Sequence, residues 1–170
     1  MLNTSSSYLL ANQLGQLLLR HHLRCVVAES CTGGRVAAAI TDVAGSSEWF
    51  DRGFVTYSNE SKHQMLGVPL SMIAIEGAVS EEVVRAMAEG ALASSKSHLG
   101  VAISGIAGPG GGSLEKPVGM VWFAWTSHLL PTHTQCHVFT GDRLAVRDQA
   151  VRVALEGLIR VAEEIILKKQ

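Results

Sequence analysis

The chain has 170 residues, of which 47% are hydrophobic and 17% are charged. This length suffices for one folded domain with a sizeable core, and the composition excludes an intrinsically disordered chain. The formal net charge of -1 at pH 7 argues against a nucleic-acid-binding protein, although a small anionic ligand needs only a local group of donors.

Helices alternate with apolar strands along the first half of the chain. Polar residues interrupt the first helical pattern and no basic segment precedes it, which indicates an amphipathic helix rather than a signal peptide. Ser80 and the two glutamates after it are typical of a helix start, because serine caps free N–H groups and carboxylates favour a helix N-terminus. The predicted elements are a helix over residues 5–20, a strand over 25–28, a helix over 32–43, a strand over 49–57, a short helical turn over 59–66 and a helix from Ser80 to about Ser95.

The second half of the chain adds three strands and a long helix. Residues 99–103 form an apolar run that enters a glycine-rich loop, and a strand over 118–126 is expected to pair antiparallel with one over 135–140. Asp142 then caps a final helix whose apolar residues lie on one stripe. This order predicts a single α/β domain over residues 1–170, a three-layer α/β/α sandwich with a mixed, mainly parallel sheet and a late antiparallel hairpin.

The spacing and number of the cysteines indicate the cellular compartment and whether a metal is bound. The chain has three, Cys25, Cys31 and Cys136. They lack metal-ligand spacing and their odd number leaves a free thiol, so we expect a cytoplasmic protein without a metal or cofactor. No segment is long and apolar enough to span a bilayer, which predicts a soluble protein without a membrane partner. The apolar faces of the hairpin and helices make a homo-oligomer plausible.

Ser30 stands directly after the first apolar strand, and Gly33 and Gly34 open the helix that follows. Ligands in such sheets bind beyond the carboxyl ends of the strands, so the Ser30 hydroxyl is a candidate nucleophile. The backbone N–H groups of Thr32, Gly33 and Gly34 would stabilise the negative charge that develops in acyl transfer. Alternatively, the two glycines only form a tight turn between strand and helix.

A serine nucleophile needs a base, and most histidines of this chain lie in polar surroundings that favour a surface role. Lys62 follows the second strand and can act as the base if its pKa is lowered by burial or a nearby cation, with Tyr57 relaying a proton or orienting the pair. The alternative is that Lys62 faces water, as lysines on short helices usually do. Cys31 competes with Ser30 as nucleophile unless its thiol is buried and inert.

Residues 104–113 form a glycine-rich loop that exposes many backbone N–H groups, which suit a phosphate or a carboxylate. The loop lacks the lysine of a nucleoside-triphosphatase phosphate loop, and its glycines are equally typical of a mobile surface loop. Lys116 and Arg143 are further candidate anion contacts, since arginine binds phosphate through two N–H donors. An exposed ion pair is the alternative for Arg143.

Six segments together resemble one family, the nicotinamide-nucleotide amidases of the CinA C-terminal domain family. They follow one another in the family's order over nearly the whole chain. The segments are Ala28-Glu29-Ser30-Cys31-Thr32-Gly33-Gly34, Gly53-Phe54-Val55-Thr56-Tyr57-Ser58-Asn59, Gly77-Ala78-Val79-Ser80, Ser104-Gly105-Ile106-Ala107-Gly108-Pro109, Lys116-Pro117-Val118-Gly119 and Gly141-Asp142-Arg143.

The resemblance implies hydrolysis of the carboxamide of a small nucleotide, nicotinamide mononucleotide, to nicotinate mononucleotide and ammonia. It implies that Ser30 is the nucleophile, that Lys62 activates it and that Tyr57 lies beside them. It also implies a stand-alone form, without the N-terminal domain of longer relatives. The resemblance further implies that the nucleotide is bound by Ser104, Gly105, Ala107, Gly108 and Arg143.

Two other functions remain open at this point. A catalytically idle module that binds pyridine nucleotides would carry the same binding residues. The family's name also suggests an interaction partner in competence or DNA damage, for which the near-neutral charge offers little support.

Overall fold

A five-stranded sheet lies at the centre of the computed structural model, which describes residues 5–169. Helices cover both faces of the sheet. In chain order the elements are α1 (Ser6–Arg20), β1 (Cys25–Glu29), α2 (Arg35–Thr41), a short 3-10 helix (Ser46–Glu48), β2 (Phe50–Val55), α3 (Asn59–Leu66), α4 (Leu70–Glu76), α5 (Glu81–Ala93), β3 (Leu99–Gly105), β4 (Met120–Ser127), β5 (His133–Val138) and α6 (Arg143–Lys168).

The sheet is mixed and has the spatial order β2-β1-β3-β4-β5. β1 pairs parallel with β2 and with β3, whereas β4 pairs antiparallel with β3 and with β5. These pairings confirm the mainly parallel core and the late hairpin. Because β1 and β3 are neighbours, with Glu29 opposite Ile103, their carboxyl ends lie side by side at one edge of the sheet. Ser30 follows β1 at this edge.

Two apolar cores, one on each face of the sheet, hold the layers together. Successive strand residues point to opposite faces, so Val27 packs with residues of α1, α2 and α6, while Val26 and Ala28 pack with residues of α3, α4 and α5. Every residue of β1 is buried, as expected of a strand that is covered on both faces. This arrangement confirms the predicted three-layer sandwich.

The long helix α6 packs closely on the sheet at Gly157. A Cβ atom at Gly157 would lie 2.0 Å from Trp125 Cε2, so only glycine lets the helix and the indole ring approach this closely. The Trp125 indole N–H donates to the Ala154 carbonyl at 3.1 Å, which fixes the ring against the helix. Asp142 caps α6 as predicted, since its carboxylate accepts from the Ala145 N–H at 2.8 Å. Among residues 5–169, no helix combines the length and apolar character needed to cross a membrane.

Some observed boundaries differ from the predicted ones, most clearly where glycines turn the chain. The helix predicted over 32–43 begins only at Arg35, because Gly33 and Gly34 have φ values of 60° and 94° and interrupt helical geometry. The strand predicted over 135–140 begins two residues earlier, since His133 pairs with Trp125, and ends at Val138. Helix α4 was not predicted, because it follows a proline and lacks both a polar cap and an acidic first turn.

Candidate active site

Two backbone hydrogen bonds hold Ser30 at the carboxyl end of β1. Its N–H donates to the Ile103 carbonyl at 3.0 Å, and its own carbonyl accepts from the Gly33 N–H at 3.1 Å. The residue is 8% exposed, and its side chain lines a cleft at the edge where β1 and β3 end. The hydroxyl is therefore presented to a ligand by a fixed turn of the backbone.

Lys62 reaches Ser30 from helix α3. A capping box formed by Ser58 and Ser61 starts this helix, and Lys62 is the next residue. The Lys62 side chain is buried and extends to the carboxyl end of β1. The amine Nζ lies 3.1 Å from Ser30 Oγ and donates to the Thr56 carbonyl at 2.8 Å. Lys62 is 1% exposed, which excludes the alternative that it faces water. Burial lowers the pKa of this amine from the ordinary value of 10.5, because the interior solvates an ammonium poorly.

Cys31 lies beside the pair but has an inert thiol. It is 5% exposed, and desolvation by burial raises the pKa of the thiol to about 12. The thiolate is the reactive form of cysteine, so this thiol stays protonated and unreactive near neutral pH. The burial and the raised pKa of the Cys31 thiol thus favour Ser30 over Cys31 as nucleophile.

Tyr57 lies at the rim of the cleft. Its side chain is 63% exposed, and its hydroxyl accepts from the Arg143 guanidinium at 3.1 Å. Only the backbone carbonyl of Tyr57 approaches Lys62, at 3.5 Å from Nζ. Among the described residues the phenol forms a hydrogen bond with neither Ser30 nor Lys62, so the expected proton relay through this phenol is absent from the geometry.

Two of the three predicted oxyanion donors are already engaged. The Gly33 N–H donates to the Ser30 carbonyl, and the Gly34 N–H donates to the Glu29 carboxylate at 3.0 Å. Thr32 remains, because neither its N–H nor that of Cys31 has a hydrogen-bond acceptor among residues 5–169. The prediction is therefore corrected for Gly33 and Gly34.

Glu29 is the site residue that the sequence reasoning missed. Its side chain is fully buried, and it accepts from the N–H groups of Gly34, Val36 and Ala37 at 2.9 to 3.1 Å. This carboxylate occupies the N-terminus of α2, where the helix dipole and free N–H groups favour a negative charge. The signal in the sequence was an acidic residue at the end of an apolar strand, directly before a glycine turn.

The glycine-rich loop contributes Ser104, Gly105 and Ala107 to the lining of the cleft. The Ser104 hydroxyl donates to the Ala78 carbonyl at 2.7 Å, and the Gly108 carbonyl accepts from the Arg143 guanidinium at 2.7 Å. Arg143 thus joins the loop to Tyr57 across the rim. Lys116 lies elsewhere, because its amine donates to the Glu76 carbonyl at the end of α4. The expected anion contact at Lys116 is not part of this cleft.

The cleft has a volume of about 190 Å³, and most of the predicted site residues line it. Ala78 and Val79 were not predicted as lining residues. Four residues predicted for the site, Thr32, Gly33, Gly34 and Gly108, do not line the cleft. The lining residues are Ser30, Cys31, Tyr57, Lys62, Ala78, Val79, Ser104, Gly105, Ala107 and Arg143.

Comparison with known proteins gives one consistent result. Residues 7–162 match the model of the family described as the CinA C-terminal domain. The chain is 56% identical over 149 residues to the nicotinamide-nucleotide amidohydrolase PncC of Escherichia coli K12, covering 88% of this chain and 90% of that protein. It is 52% identical over 157 residues to the protein of the same name from Pseudomonas putida, covering 91% and 96%.

A solved structure shows the same fold. The competence/damage inducible protein CihA from Agrobacterium tumefaciens superposes with a TM-score of 0.90 at 42% sequence identity, covering 94% of this chain and 98% of that one. Fold and sequence therefore agree over nearly the full length of the relatives compared. The chain belongs to the CinA C-terminal domain family.

Proposed function

We propose that this chain is a nicotinamide-nucleotide amidohydrolase, which converts nicotinamide mononucleotide and water to nicotinate mononucleotide and ammonia. The names of relatives that are 52% and 56% identical support the substrate class. The observation that carries the chemistry is the buried Lys62 amine, 3.1 Å from the Ser30 hydroxyl oxygen in a cleft. This pair supplies a nucleophile and a base within hydrogen-bond distance.

Lys62 activates Ser30 when its amine is uncharged. A neutral amine has two N–H groups and one lone pair, and the carbonyls of Thr56 and Tyr57 are acceptors for the two N–H groups. The lone pair is then free to accept the proton of the Ser30 hydroxyl. Burial favours this state by lowering the pKa of Lys62. As the proton moves to Nζ, Ser30 Oγ attacks the carboxamide carbon.

The attack creates a tetrahedral intermediate with a negatively charged oxygen. The N–H groups of Cys31 and Thr32 are the donors of the turn that remain available to stabilise it. Protonated Lys62 then gives its proton to the carboxamide nitrogen, the C–N bond breaks, and ammonia leaves. Lys62 then takes a proton from water as the water oxygen attacks the resulting ester. It returns this proton to Ser30 Oγ as the bond between the acyl carbon and Oγ breaks, which releases nicotinate mononucleotide and regenerates the serine and the neutral amine.

The rest of the nucleotide extends along the rim of the cleft. The volume of about 190 Å³ is below the roughly 300–1,000 Å³ of pockets that enclose whole drug-sized ligands. It suits the carboxamide-bearing ring, so the ribose phosphate reaches the rim where Arg143 and the glycine-rich loop lie. The Arg143 guanidinium provides the positive charge there, and its contacts with Gly108 and Tyr57 orient it.

Ammonia release from nicotinamide mononucleotide by the purified chain tests this proposal, with nicotinate mononucleotide identified as the second product. The same assay on nicotinamide riboside, which lacks the phosphate, should show a higher KM because the rim contacts are lost. Binding of the mononucleotide by calorimetry without ammonia release would overturn the proposal and favour a catalytically idle pyridine-nucleotide-binding module.

A further inference from the structure

We propose that Arg147, on helix α6, is a positioning residue that holds the turn after Ser30 so that the Thr32 N–H faces the reacting carbonyl. This inference rests on the proposed amidase function. Arg147 lies more than a hundred residues from the turn in sequence, and it is distinct from Arg143 at the rim of the cleft.

The guanidinium of Arg147 holds two successive carbonyls of the turn. Its Nε donates to the Cys31 carbonyl at 3.0 Å, and its Nη2 donates to the Thr32 carbonyl at 3.1 Å. Two donors of one rigid, planar group thus fix two adjacent peptide planes. A single contact would allow rotation about the hydrogen bond, whereas this pair sets the orientation of the turn.

The orientation of these carbonyls determines where the N–H groups point. In a planar trans peptide the carbonyl and the following N–H point in opposite directions. Holding the Cys31 carbonyl toward α6 therefore directs the Thr32 N–H away from α6. Holding the Thr32 carbonyl likewise directs the Gly33 N–H, which donates to the Ser30 carbonyl at 3.1 Å. Arg147 thereby orients the Thr32 N–H and, through the Gly33 N–H, the backbone carbonyl of Ser30.

The turn also has the shape needed to admit this side chain. Gly33 has a φ of 60°, and a Cβ atom there would lie 3.2 Å from Arg147 Nη2. A side chain at this position would be strained and would crowd the guanidinium. The positive charge of Arg147 additionally favours the negative charge that develops at the turn during the reaction.

Replacement of Arg147 separates this role from a purely structural one. In Arg147→Gln we expect kcat for nicotinamide mononucleotide to fall by roughly 10- to 100-fold with KM little changed, since a donor used only in the transition state is displaced. Arg147→Lys keeps the charge but loses the paired donors, so its kcat should lie between those of the glutamine variant and the wild type. The control is Asp148→Asn, which removes an exposed ion pair with Arg35 between α2 and α6 and should leave kcat unchanged.

Amide hydrogen exchange at Ser30, Gly33 and Gly34, the residues of this turn whose N–H groups are hydrogen-bonded, gives a readout that does not depend on turnover. Exchange there should accelerate in Arg147→Gln and stay at the wild-type rate in Asp148→Asn. Unchanged exchange in the glutamine variant, or a wild-type kcat in that variant, would overturn the proposal. A wild-type protein that releases no ammonia would instead count against the proposed function, and the exchange experiment would still decide the role of Arg147.

Discussion

Lys62 is a buried amine whose surroundings favour its uncharged form. Water stabilises an ammonium better than the protein interior does, so burial without a carboxylate partner disfavours the charge. Lys62 is 1% exposed, and none of the ion pairs among the described residues includes it. Its hydrogen-bond partners are two backbone carbonyls and Ser30. The site thus favours the amine that the proposed reaction needs as a base.

The pH dependence of turnover tests this role. Turnover should rise with pH as Lys62 loses its proton, and burial should place the midpoint of this rise below 10.5. Lys62→Arg retains a permanent positive charge, so its turnover should be lower on the order of a thousandfold throughout. The measurement is kcat/KM for both proteins over roughly pH 6 to 10. A wild-type rate that does not change over this range would argue against Lys62 as the base.

Glu29 links the helix α2 to the strand that carries Ser30. Its carboxylate accepts from three N–H groups at the start of α2, and its backbone carbonyl accepts from the Thr56 N–H at 2.9 Å. One buried residue thus joins α2, β1 and the segment that leads to Lys62. These bonds hold the end of the turn that leads into α2, whereas Arg147 holds the carbonyls of Cys31 and Thr32 nearer to Ser30.

Glu29→Gln should destabilise the protein strongly. The amide has the size of the carboxylate, but its NH2 group would face backbone N–H donors, and the negative charge at the helix N-terminus would be lost. Charge-assisted hydrogen bonds and the helix dipole together predict a loss of about 2–4 kcal/mol in the free energy of unfolding. Urea denaturation measures this loss. The control Asp148→Asn breaks the exposed ion pair between Asp148 and Arg35, the first residue of α2, and should cost about 0–1 kcal/mol. Equal losses of stability in the two variants would refute the role of Glu29 in holding α2.

The sequence predicts which residues belong to the site better than it predicts the contacts that those residues make. Ser30 was identified because an apolar strand followed by two glycines is a local pattern, and the structure places it at the cleft. The burial of Lys62 and the rim position of Tyr57 depend on how α3 packs against the sheet, which no local pattern specifies. The capping by Glu29 likewise depends on the positive φ values of Gly33 and Gly34, which bring the helix N-terminus back over the strand.

At the scale of the whole molecule, α6 fixes the position of both arginines relative to the sheet. Arg143 and Arg147 lie in its first two turns, and Gly157 packs against Trp125 further along. The fold class was predictable because alternating helices and apolar strands have few packing solutions. The role of Arg147 was not, since its contacts are with residues more than a hundred positions away.

Gly157→Ala tests this packing. The added Cβ would lie 2.0 Å from the Trp125 ring, so the helix or the ring must move. We expect a net loss of about 1–3 kcal/mol in the free energy of unfolding, even after the gain of about 1 kcal/mol from the higher helix propensity of alanine. Thermal and urea denaturation give the value. At Gly110 a Cβ would have no atom within 4 Å, so Gly110→Ala should change stability by less than about 0.5 kcal/mol. A neutral Gly157→Ala would show that α6 tolerates displacement.

Ammonia release from nicotinamide mononucleotide by Ser30→Ala tests the central claim most directly. The matched control is Ser97→Ala, which removes another buried serine hydroxyl. This hydroxyl has no hydrogen-bond partner among residues 5–169 and does not line the cleft. We predict that Ser30→Ala loses turnover by a thousandfold or more, on the order expected for an activated nucleophile, whereas Ser97→Ala retains the wild-type rate. Wild-type turnover in Ser30→Ala, or loss of turnover only when Cys31 is replaced, would contradict the account.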